Sequence, residues 1–176
     1  MTDLPALLDL VWSRLSHGVG DPTHPARYPT LGTIGPDGPE LRTLILRRVD
    51  RGAGALELNT DMASPKVAQI EADPRVALHV WIPSDQLQIR MRATAVVEQG
   101  DPELFARLPP QVRMNYGGAA PGAEPGPAPD DPVDGDPARF AAIRLTPHRI
   151  DALVLHEPRM RAVFTAPDWQ GRRVAP

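Results

Sequence analysis

Of the nineteen lysine and arginine residues in the chain, one is lysine, and it lies in the segment Asn59-Thr60-Asp61-Met62-Ala63-Ser64-Pro65-Lys66. A composition biased toward Arg, Ala and Pro has taken nearly every other lysine, so a lysine kept at a helix start points to a local job. Ser64 suits an N-cap, Pro65 a first helical position, and Lys66 then falls in the first turn. A helix start presents unpaired N–H groups and a partial positive charge. A cation there weakens the helix unless an anion neutralises it. The chemistry implied is anion binding, and the plainer alternative is a surface lysine.

Three arginine groups could serve the same end. In Arg42-Thr43-Leu44-Ile45-Leu46-Arg47-Arg48 cations bracket an apolar strand. If that strand is regular, Arg42 and Arg47 lie on opposite faces, and only a bulge or a strand end brings both to one ligand. In Gln88-Ile89-Arg90-Met91-Arg92 the three polar side chains share a face. Arg159-Met160-Arg161 forms a third cluster near the C-terminus. Each alone is explained by arginines snorkelling at strand edges.

Other chemistries lack their residues. No Gly-x-Ser-x-Gly elbow, Walker loop or His-Glu-x-x-His is present. The five histidines are scattered and show no ligand spacing, so no metal site is expected. The acidic run Asp130 to Asp136 loosely matches a calcium loop but lacks the closing glutamate and flanking helices. The glycines of Tyr116 to Gly126 are interrupted by prolines and do not make a phosphate loop.

The elements that must position these residues are mainly strands. Asp3 to His17 predicts an amphipathic helix, with Leu4, Leu7, Leu8, Val11, Trp12 and Leu15 on one stripe and Gly18 at its end. Tyr28 to Ile34 and Glu40 to Val49 predict a hairpin across Gly35-Pro36-Asp37-Gly38. Strands follow at Ala55 to Thr60, Arg75 to Ile82 and Leu87 to Val97, with a short helix from Ser64 to Ala72. A brief helix from Asp101 to Leu108 leads into a Pro/Gly/Asp-rich stretch, read as a mobile loop over 117–136. Strand pattern returns at Phe140 to Leu145, Ile150 to Leu155, Met160 to Thr165 and Trp169 to Val174. This is a mainly β domain with flanking helices, an antiparallel barrel or sandwich.

A chain of 176 residues makes one domain with a sizeable core. A net charge of −3 and a pI near 5.9 give no pull toward nucleic acid or anionic membrane. Cysteine is absent, which removes thiolate chemistry and suits the cytoplasm. Neither a signal peptide nor an apolar run of membrane-spanning length is evident.

The order of the segments resembles a known family. Arg42-Thr43-Leu44-Ile45-Leu46-Arg47, Asn59-Thr60-Asp61-x-x-Ser64-x-Lys66, Gln69-Ile70-x-x-Asp73-Pro74-Arg75-Val76 and Leu87-Gln88-Ile89-Arg90 are similar to the pyridoxamine 5'-phosphate oxidase-like flavin-binding split barrels. The likeness covers residues 28–98 and, more loosely, 139–176. It implies a six-stranded antiparallel split β-barrel that forms a homodimer with FMN at the subunit interface. By resemblance, Arg42 and Lys66 grip the FMN phosphate, with Ser64 at the same helix start. Arg47 and the backbone of Thr43 and Leu44 lie along the isoalloxazine. Asn59 and Thr60 line the ribityl and phosphate path, Gln88 hydrogen-bonds the flavin, and Arg161 reaches in from the other subunit. Leu44, Leu46, Leu78, Val80 and Trp81 are candidates for the buried dimer seam.

The chain also departs from the oxidase pattern. Pro65 stands where the oxidases carry arginine, and Leu153 replaces an aromatic flavin contact. Glu157-Pro158-Arg159-Met160-Arg161 stands where they have Arg-Leu-His-Asp-Arg. These changes keep a flavin site and remove a pyridoxamine phosphate site, which puts the chain nearer a subgroup named for its flavin-binding domain. Two functions follow: an FMN-dependent oxidoreductase acting on an unidentified small molecule, or a non-catalytic module that stores or senses flavin. A third class uses deazaflavin or haem on the same scaffold.

Overall fold

The computed structural model describes residues 3–124 and 134–176. Helix α1 spans Leu4–Gly20, and its Asp3 cap accepts a hydrogen bond from the Ala6 N–H at 2.7 Å. Leu7, Val11, Trp12 and Leu15 form its buried stripe. The helix runs through Gly18 rather than ending there. A Cβ at Gly18 would lie 2.6 Å from the Ala26 carbonyl carbon, so this glycine lets the following loop rest on the helix.

Among the described residues nine strands build one curled antiparallel sheet: β1 (Thr30–Gly35), β2 (Gly38–Thr43), β3 (Leu46–Asp50), β4 (Ala55–Asp61), β5 (Arg75–Ile82), β6 (Leu87–Gln99), β7 (Phe140–Val154), β8 (Met160–Thr165) and β9 (Gln170–Val174). The order runs β2-β1-β5-β6-β7-β4-β3, with β8 on β7 and β9 on β8. Helix α2 (Pro65–Ala72) packs on β1 and β6, while α1 packs on β3, β7 and β9. Short helices α3 (Pro102–Arg107) and α4 (Pro110–Arg113) follow β6. No helix among the described residues is long and apolar enough to cross a membrane.

The split-barrel class holds, but four expectations change. First, Glu40 to Val49 is not one strand. β2 pairs with β1 and β3 with β4, and the chain crosses between them where the Leu44 N–H meets the Pro29 carbonyl at 3.0 Å. A hydrophobic pattern does not register a change of partner, and the parity argument that separated Arg42 from Arg47 lapses with the single strand. Second, Phe140 to Leu145 and Ile150 to Leu155 are one strand, β7. It pairs with β6 along its length, with β4 through its first half and with β8 through its second. A bulge in β7 opposite Arg92 and Ala93, with His148 as the extra residue, absorbs the misfit beside Pro147. Third, the sheet has nine strands among the described residues where the resemblance implied six; the sequence pattern itself marks nine strand segments, and dividing one at the crossing while fusing two into β7 leaves that number unchanged.

Fourth, Leu46, Leu78 and Val80 are not seam residues. They point into their own barrel, joining Leu56, Leu58, Ile89, Met91, Ile143, Leu145 and Phe164 in the main core. Alternation buries one face of each strand, and these residues fall on it. The large apolar side chains left outside on β1, β2 and β5 are Ile34, Leu41 and Trp81. Of the loop predicted over 117–136, residues 125–133 lie outside the described residues, as does half of the acidic run. Within the described part, Asp134 accepts from the Arg113 guanidinium at 3.0 Å and Asp136 from the Ala138 N–H at 2.8 Å.

A smaller cluster ties this segment to the barrel. The Phe140 ring meets Tyr116 and Phe105 at centroid distances of 5.1 and 5.7 Å. Gly100 makes room for it, since a Cβ there would lie 2.2 Å from the Phe140 ring. Replacing Phe140 with alanine is expected to cost about 3–5 kcal/mol of folding stability. Urea denaturation with an unchanged slope measures it, and a loss below about 1 kcal/mol would remove Phe140 from this role.

Candidate functional site: an anion grip at the start of helix α2

The turn from β4 into α2 sets the site. Asp61 closes β4, and its carboxylate accepts from the Ala63 N–H at 2.8 Å. The Ser64 N–H donates to the Asp61 carbonyl at 3.0 Å. Ser64 occupies the cap position, yet its hydroxyl makes no cap bond. It accepts from the Lys66 ammonium instead, which also donates to the Thr60 hydroxyl at 3.2 Å. The lysine therefore folds back over the helix start. Burial, then the charge of Arg42, push its ammonium below the ordinary lysine range, against the pull of Asp61.

Arg42 arrives from β2. Its guanidinium donates to the Thr33 hydroxyl, to Gln69 Oε1 at 3.1 Å and to Glu40 Oε2 at 3.0 Å. Gln69 lies one turn beyond Lys66, so Arg42 is tied to the helix that carries Lys66 and its charge is felt there. Four of the predicted residues, Arg42, Thr60, Ser64 and Lys66, thus converge. Two cations backed by hydroxyls fit the phosphate of a phosphate monoester.

Arg47 and Asn59 lie on β3 and β4. Arg47 Nε and Asn59 Oδ1 are buried atoms without a hydrogen-bond partner among the described residues. Buried polar groups are rarely left so, and both suit a bound polar molecule. Burial works against the Arg47 charge, and Tyr116 is the foremost group supporting it. Burial raises the Tyr116 hydroxyl, with Arg47 opposing. The loop tyrosine and the strand arginine are therefore neighbours. Thr43 is exposed at the end of β2, opposite Thr30, and Leu44 is partly buried at the crossing.

Gln88 and Arg161 stand apart from this cluster within one chain. Both belong to a cross-strand row, Trp81–Gln88–Leu153–Arg161, over β5 to β8. Arg161 is clamped by Asp151 through two bonds of 3.0 Å, and Asp151 accepts a third from Arg90 at 2.7 Å. Burial opposes the Asp151 charge, but Arg161 and Arg90 outweigh it and hold the carboxyl below the usual range. Arg161, Arg90, Arg92 and Arg149 line a cavity of about 550 Å³ on this face.

Several participants were not assigned from sequence. Gln69 and Thr33 hold Arg42, and Glu40 shares that network. Arg139 forms a two-pronged ion pair with buried Asp61, with Nε to Oδ1 at 3.0 Å, and donates to the Gly118 carbonyl at 2.6 Å. It pins the segment after Tyr116 beside α2, where a Cβ at Gly122 would reach Pro65. Gln69 and Asp61 sit inside the recognised motifs, which was the available signal. Arg139 and Tyr116 had none.

The fold and this cluster define a flavin-type split barrel. The chain belongs to the family of pyridoxamine 5'-phosphate oxidase FMN-binding domains, whose model matches residues 10–99. A pyridoxamine 5'-phosphate oxidase-related, FMN-binding protein of Nostoc punctiforme is 26% identical, with a TM-score of 0.77 and 96% of each chain covered. PhzG of Burkholderia lata, solved with tetrahydrophenazine-1-carboxylic acid, is 16% identical with a TM-score of 0.70, over 100% of this chain and 94% of that one. A protein related to general stress protein 26 from Clostridium acetobutylicum is 14% identical with a TM-score of 0.61, over 96% and 99% of the two chains. The last two likenesses show the fold alone. No curated protein sequence matches the chain.

The side chains of Arg139 and Asp61 are 17% and 6% exposed. Removing one member leaves a buried charge without its partner, so Arg139→Ala is expected to lower stability by about 3–5 kcal/mol. Chemical denaturation measures this, and a loss under about 1 kcal/mol would show that Asp61 finds other support.

Proposed function

We propose that the chain binds FMN through the α2 start and works as a flavin-dependent oxidoreductase on a small molecule. The observation that carries this reading is the approach of Arg42 to the helix that carries Lys66, close enough for its charge to be felt there, with Lys66 bonded only to hydroxyls among the described residues. A terminal phosphate monoester matches two cations and a hydroxyl better than a bridged pyrophosphate does. Arg47 and Asn59 offer their unpaired atoms along the path from that phosphate. FMN, when bound, supplies the electron-transfer chemistry, and the protein orients it and shields it from water. A non-catalytic flavin-binding module is the competing reading, and turnover with a nicotinamide donor separates the two.

Pyridoxamine phosphate is not the substrate on this reading. Glu157 and Arg159 pair with each other at 3.3 Å on the surface, so the arginine of that segment is already matched by a carboxylate. Purified protein given pyridoxamine phosphate and oxygen is expected to yield no pyridoxal phosphate above background.

FMN titration followed by flavin fluorescence is the direct test. Losing one charge-assisted phosphate contact costs about 1.5–3 kcal/mol, so Lys66→Ala weakens binding by about tenfold to a hundredfold. Arg90→Ala, whose guanidinium is engaged with Asp151, has a smaller effect. The Lys66 ammonium sits below its ordinary range, so it loses its charge earlier as pH rises. Affinity is therefore expected to fall on the alkaline side, and Lys66→Arg to retain it there. Equal losses in the Lys66 and Arg90 variants would return Lys66 to a surface role.

We further propose that the working unit is a homodimer, with the exposed Ile34, Leu41 and Trp81 face at the seam and Arg161 reaching the partner's flavin. Symmetric pairing is the commonest oligomer. If Lys66→Ala and Arg161→Ala each abolish binding, mixed dimers should regain one intact site after subunit exchange. A monomer by light scattering that still binds FMN would refute the shared site.

A further inference from the structure

The two cations of the grip are not equally free. Among the described residues Lys66 meets only hydroxyls, whereas Arg42 already faces a carboxylate. Glu40 stands two residues before Arg42 on β2, so both side chains leave the same face. Glu40 Oε2 accepts from Arg42 at 3.0 Å, and Oε1 accepts from the Gln69 amide nitrogen at 2.8 Å. The Gln69 amide oxygen receives Arg42 at 3.1 Å and the Thr33 hydroxyl at 2.6 Å. Thr33 and Gln69 are buried, at 2% and 8% exposure, so this frame is fixed by packing. The Glu40 side chain is 49% exposed and can swing away, while that of Arg42 is 19% exposed and cannot follow it far. Gly35 provides the berth, since a Cβ there would lie 2.3 Å from Glu40 Oε1.

We propose that Glu40 is a resident competitor for the Arg42 half of the grip and sets the affinity of the site for phosphate. This rests on the α2 start being the anion site. With Glu40 in place, the two cations offer an incoming phosphate one net positive charge rather than two. The phosphate must displace the carboxylate from Arg42 or bind beside it against like-charge repulsion. Displacement leaves Thr33 and Gln69 holding the guanidinium, so Arg42 keeps its aim after Glu40 departs. The arrangement makes phosphate binding weaker and readily reversible.

The test compares wild type with Glu40→Gln and Glu40→Ala, titrating FMN and, in parallel, riboflavin, which lacks the phosphate. Both variants are expected to bind FMN about tenfold more tightly, with riboflavin unchanged. Unchanged or weaker FMN binding in both would overturn the proposal, because it would make Glu40 a spectator or a support for Arg42. Equal gains for FMN and riboflavin would overturn it too, since the effect would not lie at the phosphate. If neither wild type nor the variants bind FMN, and Lys66→Ala changes nothing, the anion-site reading itself falls and takes the proposal with it.

Discussion

The bidentate pairing of Arg139 with buried Asp61 is the interaction on which the site depends. Asp61 ends β4 and anchors the first N–H groups of the turn into α2. Arg139 stands just before β7 and holds the Gly118 carbonyl. One ion pair therefore fixes a strand end, a helix start and the loop beside them. Its strength comes from being nearly removed from water, with both carboxylate oxygens engaged. The same burial would make an unpaired Asp61 costly, so the pair acts as a constraint more than as a gain in stability.

That constraint explains how the chain tolerates a lysine at a helix start. The Lys66 ammonium opposes the local dipole and the charge of Arg42. Asp61 is close enough to offset part of this, yet its oxygens are committed to Arg139 and the Ala63 N–H. Lys66 is left to hydroxyls, electrostatically supported but not neutralised. Pro65 reinforces the arrangement: it fixes the first helical turn while offering no N–H, so the grip relies on side chains more than on backbone donors.

Much of this was legible in the sequence, and the failures share a cause. Alternation placed Leu87, Ile89, Met91, Ala93 and Ala95 inside, and they are buried. The stripe of α1 and the start of α2 could be read from capping residues and spacing. Missed were the places where local pattern is silent about partners: the crossing after Thr43 and the fusion of β7. Within the site, Arg42 and Lys66 were visible as cations near strand and helix ends. Gln69, Thr33 and Glu40 were not assigned, because their roles arise from three separate elements meeting. Arg139 was invisible for the same reason, its partner lying 78 residues away.

That separation bears on how the protein is made. β4 pairs on one side with β3, its close neighbour in the chain, and on the other with the first half of β7. A chain growing from its N-terminus carries β4 with one open edge until the residues of β7 have left the ribosome. The β1–β2 hairpin and the β5–β6 pair can form early, since their strands are adjacent in sequence. Barrel closure cannot, and it must bear the entropy of a long loop before its contacts form. An open, apolar strand edge is a template for pairing with other chains, so the growing polypeptide is most prone to aggregate while the α2 start is already synthesised and Arg139 is not.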